Sequence, residues 1–205
     1  MMNDPTYPLF TMAAEYIRNH YTEGVLLEVG AGPFSSTFLF ELAKERSICL
    51  HSVDSCASHL ILPPSMLSVR HCMKGEDFLP GYSGKVFFCY LDNYDWVNHW
   101  EFPNEPFFAG LTKQESERIH LVQSELLLPK LSPKAIVLFD DTGVICPTQI
   151  SAAEILAAMP SVKFYGKGAS AVPFLVSKGM RVIGYSANHS HGGSVGQHDQ
   201  ILLSL

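Results

Sequence analysis

The chain has 205 residues and a formal net charge of −6, with 14 lysines and arginines against 20 aspartates and glutamates. A chain of this length can bury one substantial core, and nothing in it suggests a second domain. Binding to nucleic-acid backbones needs concentrated positive charge, so we expect a small-molecule ligand and no nucleic-acid partner. No apolar run is long enough to cross a bilayer, and the stretch from Met1 to Phe10 does not resemble a signal peptide. These features predict no membrane partner and a cytoplasmic location.

Helical and strand patterns alternate along the chain, which is typical of one α/β domain. Apolar spacing predicts a lead-in helix at 7–21, followed by a strand at 25–29, a glycine turn and a helix that continues to Lys44. Further strands are predicted at 48–53 and 66–71. Continuous apolar runs at 86–91 and 135–139 predict strands that are buried on both faces, as in a parallel sheet covered by helices.

The second half of the chain predicts two more helices, at 112–128 and 149–159, the first capped by Thr112 with Glu115 three residues on. Short runs at 162–165 and 171–177 predict a final antiparallel pair of strands, with residues 166–168 as the turn between them. From about residue 188 the composition is rich in histidine, serine and glycine, which predicts a flexible tail.

The passage at 96–111 is long and aromatic, and such a segment has no reason to lie in water. It contains Trp96, Trp100 and Phe107 together with two prolines and a glycine. We expect a lid-like insertion that forms a substrate wall, although packing against the core would explain the same residues.

Acidic residues follow the predicted strands at four places. In an open parallel sheet, ligands bind outside the carboxyl ends of the strands, so these acids would meet at one edge. The loop after the first strand, with Gly30 and Gly32, would bring its backbone and the following helix N-terminus close to a ligand. Asp54, after the second strand, can accept both hydroxyls of a ribose. The strand-end acids are Glu28, Asp54, Asp92 and the pair Asp140 and Asp141.

This order of motifs resembles the class I S-adenosylmethionine-dependent methyltransferases over residues 25–177. Residues 28–32 match the family's acid-x-Gly-x-Gly loop, Asp54 its ribose acid, and the final hairpin its reversed seventh strand. The resemblance implies an α/β, Rossmann-like, doubly wound sheet of seven strands, mostly parallel with an antiparallel last strand. It also implies a single methyltransferase domain over residues 1–205. The expected cofactor-binding residues are Glu28, Gly30, Gly32, Ser36, Asp54, Gly75, Glu76 and Asp77.

Residues 74–80, 91–92 and 137–142 resemble more narrowly the metal-dependent macrolide-sugar and aminocoumarin O-methyltransferases. In that branch an acid after the fourth strand and two adjacent acids after the fifth hold a divalent metal. Here these positions are Asp92, Asp140 and Asp141. Three crowded carboxylates would repel each other, and Mg²⁺ would neutralise them and lower the pKa of an acceptor hydroxyl. The resemblance therefore implies O-methylation of a small molecule.

The general base is less clearly marked. Related proteins commonly carry a second acid two residues after the first, where this chain has Tyr94, so Asp95 or His99 would join Asp92 as catalytic residues. A metal-free N-methyltransferase, with Asp140 and Asp141 binding an amine, remains an alternative.

Two other classes of protein fit the sequence less well. In a nicotinamide-dependent oxidoreductase the third glycine of the fingerprint would stand where the chain has Ser35. In a non-catalytic adenosine-binding protein, the clustered acids would have no evident role. His51 and His71 are expected to be structural, and His120 to face solvent on its helix. A homo-oligomer is possible through the aromatic segment or the tail.

Overall fold

A computed structural model describes residues 8–93, 111–145, 151–159, 161–186 and 199–205. Among these residues the chain alternates between helices and strands. The α-helices are α1 (Pro8–His20), α2 (Pro33–Arg46), α3 (Gly75–Gly81), α4 (Lys113–Leu127), α5 (Ala152–Ala158) and α6 (Ala171–Ser177). The strands are β1 (Val25–Val29), β2 (Leu50–Asp54), β3 (Ser68–Cys72), β4 (Val86–Leu91), β5 (Leu131–Phe139), β6 (Thr142–Val144), β7 (Phe164–Gly166), β8 (Arg181–Ser186) and β9 (Gln200–Ser204).

Seven of the described strands form one sheet in the order β3-β2-β1-β4-β5-β9-β8. The first five are parallel, while β9 is antiparallel to both β5 and β8. The strand order reverses between β1 and β4, which places the switch point of the sheet beside the glycine loop. The predicted Rossmann-like fold, seven-stranded and mostly parallel, is confirmed.

Helices cover both faces of the sheet. On one face α1 and α2 pack against side chains such as Leu26 and Phe88, and on the other α3 to α6 pack against Leu27 and Cys89. All six residues of β4 are buried, as the continuous apolar run predicted. None of the described helices is both long and apolar enough to cross a membrane.

The predicted final strand pair is wrong in detail. Residues 171–177 form helix α6, with Ala171, Val172 and Leu175 buried on one side at helical spacing. Pro173 lies in the first turn, where a helix tolerates a missing N–H but a central strand does not. Strand β7 pairs instead with β6, in a separate two-stranded sheet directly after β5.

The antiparallel end of the sheet is built by β8 and β9. A flexible tail was expected from about residue 188, but its last part is ordered, because residues 200–204 pair with a strand on each side within the sheet. Ile201, Leu202 and Leu203 are fully buried there, which explains why this short apolar run is a strand. Residues 187–198 lie outside the described part of the chain.

Candidate cofactor and acceptor site

The turn after β1 approaches the end of β4 very closely. Gly30 has φ +94°, a conformation that side chains disfavour, and a Cβ there would lie 2.4 Å from the carbonyl carbon of Asp92. Gly32 is the N-cap of α2, and its carbonyl accepts from the N–H of Ser36 at 2.9 Å. Gly30 therefore lets the chain turn sharply at the switch point of the sheet, and α2 begins directly after Gly32.

The buried side chain of Glu28 holds this turn in place through hydrogen bonds. Its carboxylate is fully buried and accepts hydrogen bonds from the hydroxyls of Ser35 (2.6 Å), Ser36 (2.8 Å) and Ser52 (2.8 Å). Burial raises the pKa of Glu28 to about 7, against the lowering effect of these hydrogen bonds. Glu28 and Ser36 were both expected to bind a cofactor, but their side chains bind each other and tie α2 to β1 and β2.

Asp54 links the first two loops of the sheet edge. Its Oδ2 accepts from the backbone N–H of Ala31 at 3.0 Å, and its Oδ1 from the N–H of Cys56 at 2.7 Å. His59 Nδ1 lies 3.3 Å from Oδ1. A carboxylate can accept about four hydrogen bonds, so Asp54 can hold the glycine turn and still receive ligand hydroxyls.

The start of α3 lies against β1 and α4. A Cβ on Gly75 would approach Val29 Cγ1 to 2.5 Å and Gln123 Nε2 to 2.8 Å, so only glycine allows this contact. Gln123 Nε2 donates to Glu76 Oε2 at 3.1 Å. Asp77 is exposed in the first turn of α3. Gly75 thus lies against the end of β1, next to the glycine turn. The adenine-binding role of Gly75, Glu76 and Asp77 remains a prediction.

A buried lysine lies between the acids predicted to hold a metal. Lys167 is 0% exposed, and its Nζ lies 2.6 Å from Asp92 Oδ1 and 2.9 Å from Asp141 Oδ2. Asp141 itself adopts a left-handed conformation, with φ +45°. The lysine follows β7, so the small second sheet places a positive charge at the carboxyl edge of the large one.

Asp140, the third of these acids, is held by hydrogen bonds from neighbouring side chains. The single hydroxyl proton of Tyr90 is shared between Asp140 Oδ2 at 2.5 Å and Asp92 Oδ2 at 2.9 Å, and Gln200 Nε2 donates to Asp140 Oδ1 at 3.1 Å. Burial and the charge of Asp141 raise the pKa of Asp140, against the opposing effects of Lys167 and these hydrogen bonds. The three acids therefore belong to one hydrogen-bonded network with Lys167 and Tyr90.

The arrangement does not fit the predicted Mg²⁺ site. An ammonium group already touches Asp92 and Asp141, and a divalent cation bound to the same oxygens would face its charge at close range. Within the described parts of the chain, no group of three or more histidines, cysteines, aspartates or glutamates is arranged to hold a metal. We therefore assign no metal to Asp92, Asp140 and Asp141.

His120 lies inside the protein rather than facing solvent as predicted. Its side chain is fully buried, its Nδ1 is 2.8 Å from the carbonyl oxygen of Ser116, and its Nε2 has no hydrogen-bond partner among the described residues. Burial and the charge of Lys167 lower the pKa of His120 to about 3, so the imidazole is neutral. The prediction failed because the inward face of α4 is polar, with Ser116, Gln123 and Ser124 also buried.

Several predicted residues lie outside the described part of the chain. These are the proposed bases Asp95 and His99 and the proposed substrate residues Trp96, Trp100 and Phe107. Their roles remain predictions.

Solved structures share this fold at low sequence identity. SMU.1697c from Streptococcus mutans, in complex with S-adenosylhomocysteine (SAH), aligns with a TM-score of 0.56 and 10% identity, over 100% of this chain and 99% of its own. An rRNA methylase from Streptococcus thermophilus aligns with a TM-score of 0.55 and 9% identity, over 100% and 98%. CalS10 from Micromonospora echinaspora, an amino pentose methyltransferase with bound S-adenosylmethionine, aligns with a TM-score of 0.51 and 11% identity, over 98% and 92%.

At these identities the likeness establishes the Rossmann-like methyltransferase fold. No protein-family model matches the chain, and no curated protein matches it in sequence.

Proposed function

We propose that this chain is an S-adenosylmethionine-dependent methyltransferase that acts on a small-molecule acceptor without a divalent metal. One observation carries the proposal: beside the switch point, the loops after β1 and β2 are joined by the bond from Ala31 N–H to Asp54 Oδ2, 3.0 Å long. The start of α3 adjoins the same turn through Gly75. A ribose at Asp54 and an adenine near α3 would leave the sulfonium end beside the glycine turn.

When bound, S-adenosylmethionine supplies an activated methyl group on a positively charged sulfur. The protein has to align the acceptor with that methyl carbon, so its main contribution is positional. As the acceptor's lone pair forms the new bond, the bond from sulfur to carbon breaks, SAH is left, and the acceptor releases a proton. The rigid edge formed by Gly30, Asp92 and the Lys167 ion pair suits such alignment.

A role for Asp92 as general base has little support. Its Oδ1 is paired with the ammonium of Lys167 and its Oδ2 accepts from the Tyr90 hydroxyl. Both contacts stabilise the ionised carboxylate and make it a weaker proton acceptor. We assign Asp92 a positioning role at the end of β4.

The net charge of −6 supports a small acceptor over a nucleic acid. The preference for oxygen depended on a metal that would activate a hydroxyl, and the lysine removes that argument. Transfer to nitrogen or to oxygen is therefore decided by the acceptor assay below.

Calorimetry with SAH tests the cofactor proposal directly. We expect a Kd in the micromolar range, about −7 to −8 kcal/mol. Asp54→Ala should weaken binding by about 1–3 kcal/mol, because it removes a ligand partner and releases the Ala31 turn. Glu125→Ala, at an exposed acid on α4, is the matched control and should bind SAH like the parent. Heat with NAD but none with SAH would refute the proposal.

Acceptor class and metal dependence are tested with a radiolabelled methyl donor and three acceptors: an amino sugar, a phenol and an rRNA fragment. We expect label on a small molecule and the same rate with and without EDTA, since Lys167 already neutralises the acids. Label only on RNA would contradict the small-molecule proposal. A rate that falls to background in EDTA would contradict metal independence.

A further inference from the structure

Gln200 places an unpaired oxygen beside the acids of this edge. Its side chain is 1% exposed, and its Nε2 donates to Asp140 Oδ1 at 3.1 Å. The same Oδ1 accepts from the backbone N–H of Asp141 at 3.0 Å, so it acts as an acceptor and fixes the orientation of the amide. The other end of the amide, Oε1, is buried and has no hydrogen-bond partner among the described residues. An unpaired buried acceptor is costly, so a donor from a ligand would stabilise it.

His120 provides a second acceptor of the same kind. Its Nδ1 lies 2.8 Å from the carbonyl oxygen of Ser116, which can only accept, so Nδ1 carries the proton and Nε2 a lone pair. Nε2 is buried without a partner in the described ranges, and the imidazole interacts electrostatically with Lys167 and Asp141. Asn93 Oδ1, two residues beyond β4, is likewise buried and unpartnered. In the part of the chain that the structure describes, none of the unpartnered buried side-chain atoms is an N–H donor.

Negative charge exceeds positive charge at this edge. Asp92, Asp140 and Asp141 are three carboxylates, and among the described ion pairs Lys167 is their only lysine or arginine partner. All 14 lysines and arginines of the chain lie among the described residues, so the remaining segments add none. Burial and the charge of Asp141 raise the pKa of Asp140, so a further positive charge would stabilise its ionised form. The side chains of Asp92 and Asp141 are 28% and 19% exposed, which leaves the edge accessible to a ligand.

Unpaired acceptors and excess negative charge together favour a cation that carries N–H donors. A primary ammonium group has three donors and no lone pair, so it can bond to Gln200 Oε1 and to a carboxylate at once. A hydroxyl has one donor and two lone pairs, and those lone pairs would lie among acceptors. A quaternary ammonium has the charge but no donor.

We propose that the methyl acceptor is an amine, held in its ammonium form by Gln200 Oε1 beside Asp140, and that the methyl group goes to its nitrogen. This inference rests on the proposed methyl transfer. Because an ammonium nitrogen has no lone pair, it first releases one proton to solvent water at the exposed acids. The nitrogen lone pair then forms a bond to the methyl carbon as the bond from sulfur to that carbon breaks, which leaves SAH and the methylated ammonium.

Three matched probes test the ammonium site on the protein without a methyl donor. They are benzylammonium, benzyltrimethylammonium and benzyl alcohol, compared at equal ionic strength by calorimetry and thermal melting. We expect benzylammonium to raise the melting temperature and to bind at least about tenfold more tightly than the other two. Gln200→Leu removes Oε1 and should lose most of this preference. Gln114→Leu, the same change at an exposed position on α4, should bind the probes like the parent.

Benzylammonium that binds no more tightly than the alcohol or the quaternary ammonium would overturn the proposal. The comparison of the three probes on the parent stands even where Gln200→Leu does not fold. In the labelled-methyl assay, label on the nitrogen of the amino sugar supports the proposal, whereas label on one of its hydroxyls or on the phenol overturns it. Absence of SAH binding would refute the methyl transfer, while a preference for benzylammonium would still establish the cation site.

Discussion

The buried carboxylate of Glu28 makes a stability prediction that depends on pH. Its folded-state pKa of about 7 lies above the ordinary value of 4.5, so the folded chain holds this proton more tightly than the unfolded chain. The stability that Glu28 contributes is therefore fully present below pH 4.5 and is lost as the pH rises to 7. That difference in pKa corresponds to about 3 kcal/mol at 1.36 kcal/mol per pKa unit.

Glu28→Gln keeps the shape of the side chain and removes its titration. The three serine hydroxyls can still bond to the amide oxygen or accept from its NH₂ group. Urea unfolding of both proteins should be measured between pH 4.5 and 7.5. Over this range the free energy of unfolding of the variant, relative to that of the parent, should rise by about 3 kcal/mol. Other titrating groups cancel in this difference, and Glu125→Gln, at an exposed acid, controls for the loss of one charge. Parallel curves for parent and Glu28→Gln would refute the reasoning.

Two further predictions concern the site, and a third concerns two histidines on β2 and β3. Gly30→Ala places a Cβ 2.4 Å from the backbone at the end of β4, at φ +94°, and should lower the free energy of unfolding by at least about 2 kcal/mol; an unchanged urea midpoint would contradict this. Burial lowers the pKa of both His51 and His71, so their contribution to the free energy of unfolding is complete above pH 6.5 and is lost on acidification. The His71→Phe variant should therefore lose less stability than the parent between pH 7 and 5. An equal loss in both proteins would argue against this reasoning. Gln123→Leu removes the bond to Glu76 and a buried unpartnered oxygen, so it should weaken SAH binding about fivefold without lowering the melting temperature; unchanged affinity would show that Gln123 does not position α3.

Local patterns were enough to predict most of the sheet edge. The apolar run of β4 and the acid after it are contiguous in sequence, and the cap of α4 is the predicted reciprocal pair, with Thr112 Oγ1 accepting from Glu115 N–H at 3.2 Å and Glu115 Oε2 from Thr112 N–H at 2.8 Å. Such features depend on neighbours within a few residues, so periodicity and capping rules capture them.

The features that were missed depend on distant partners. Lys167 stands between two glycines and looks like part of a turn, yet its amine pairs with an acid 75 residues earlier. Nothing within the local sequence indicates that pair, because only the hairpin of β6 and β7 brings the lysine to the edge. The position of β9 was missed for a similar reason, since its apolar run follows a polar stretch and pairs with β5, more than sixty residues earlier.

The place of β9 in the sheet has a consequence for how the chain folds. In the described sheet β8 is an edge strand whose sole neighbour is β9, and α1 also reaches this end of the sheet through a 3.0 Å hydrogen bond between Tyr16 OH and Ser204 Oγ. During synthesis β1 to β5 emerge and can pair in parallel, but in the described sheet β8 has no strand to pair with until residues 200–204 have left the ribosome. The edge of β5 stays open until that moment, with its hydrogen-bonding groups and apolar faces available for pairing with another chain. Within the described sheet, β9 is thus the strand that covers the edge of β5 against pairing with another chain.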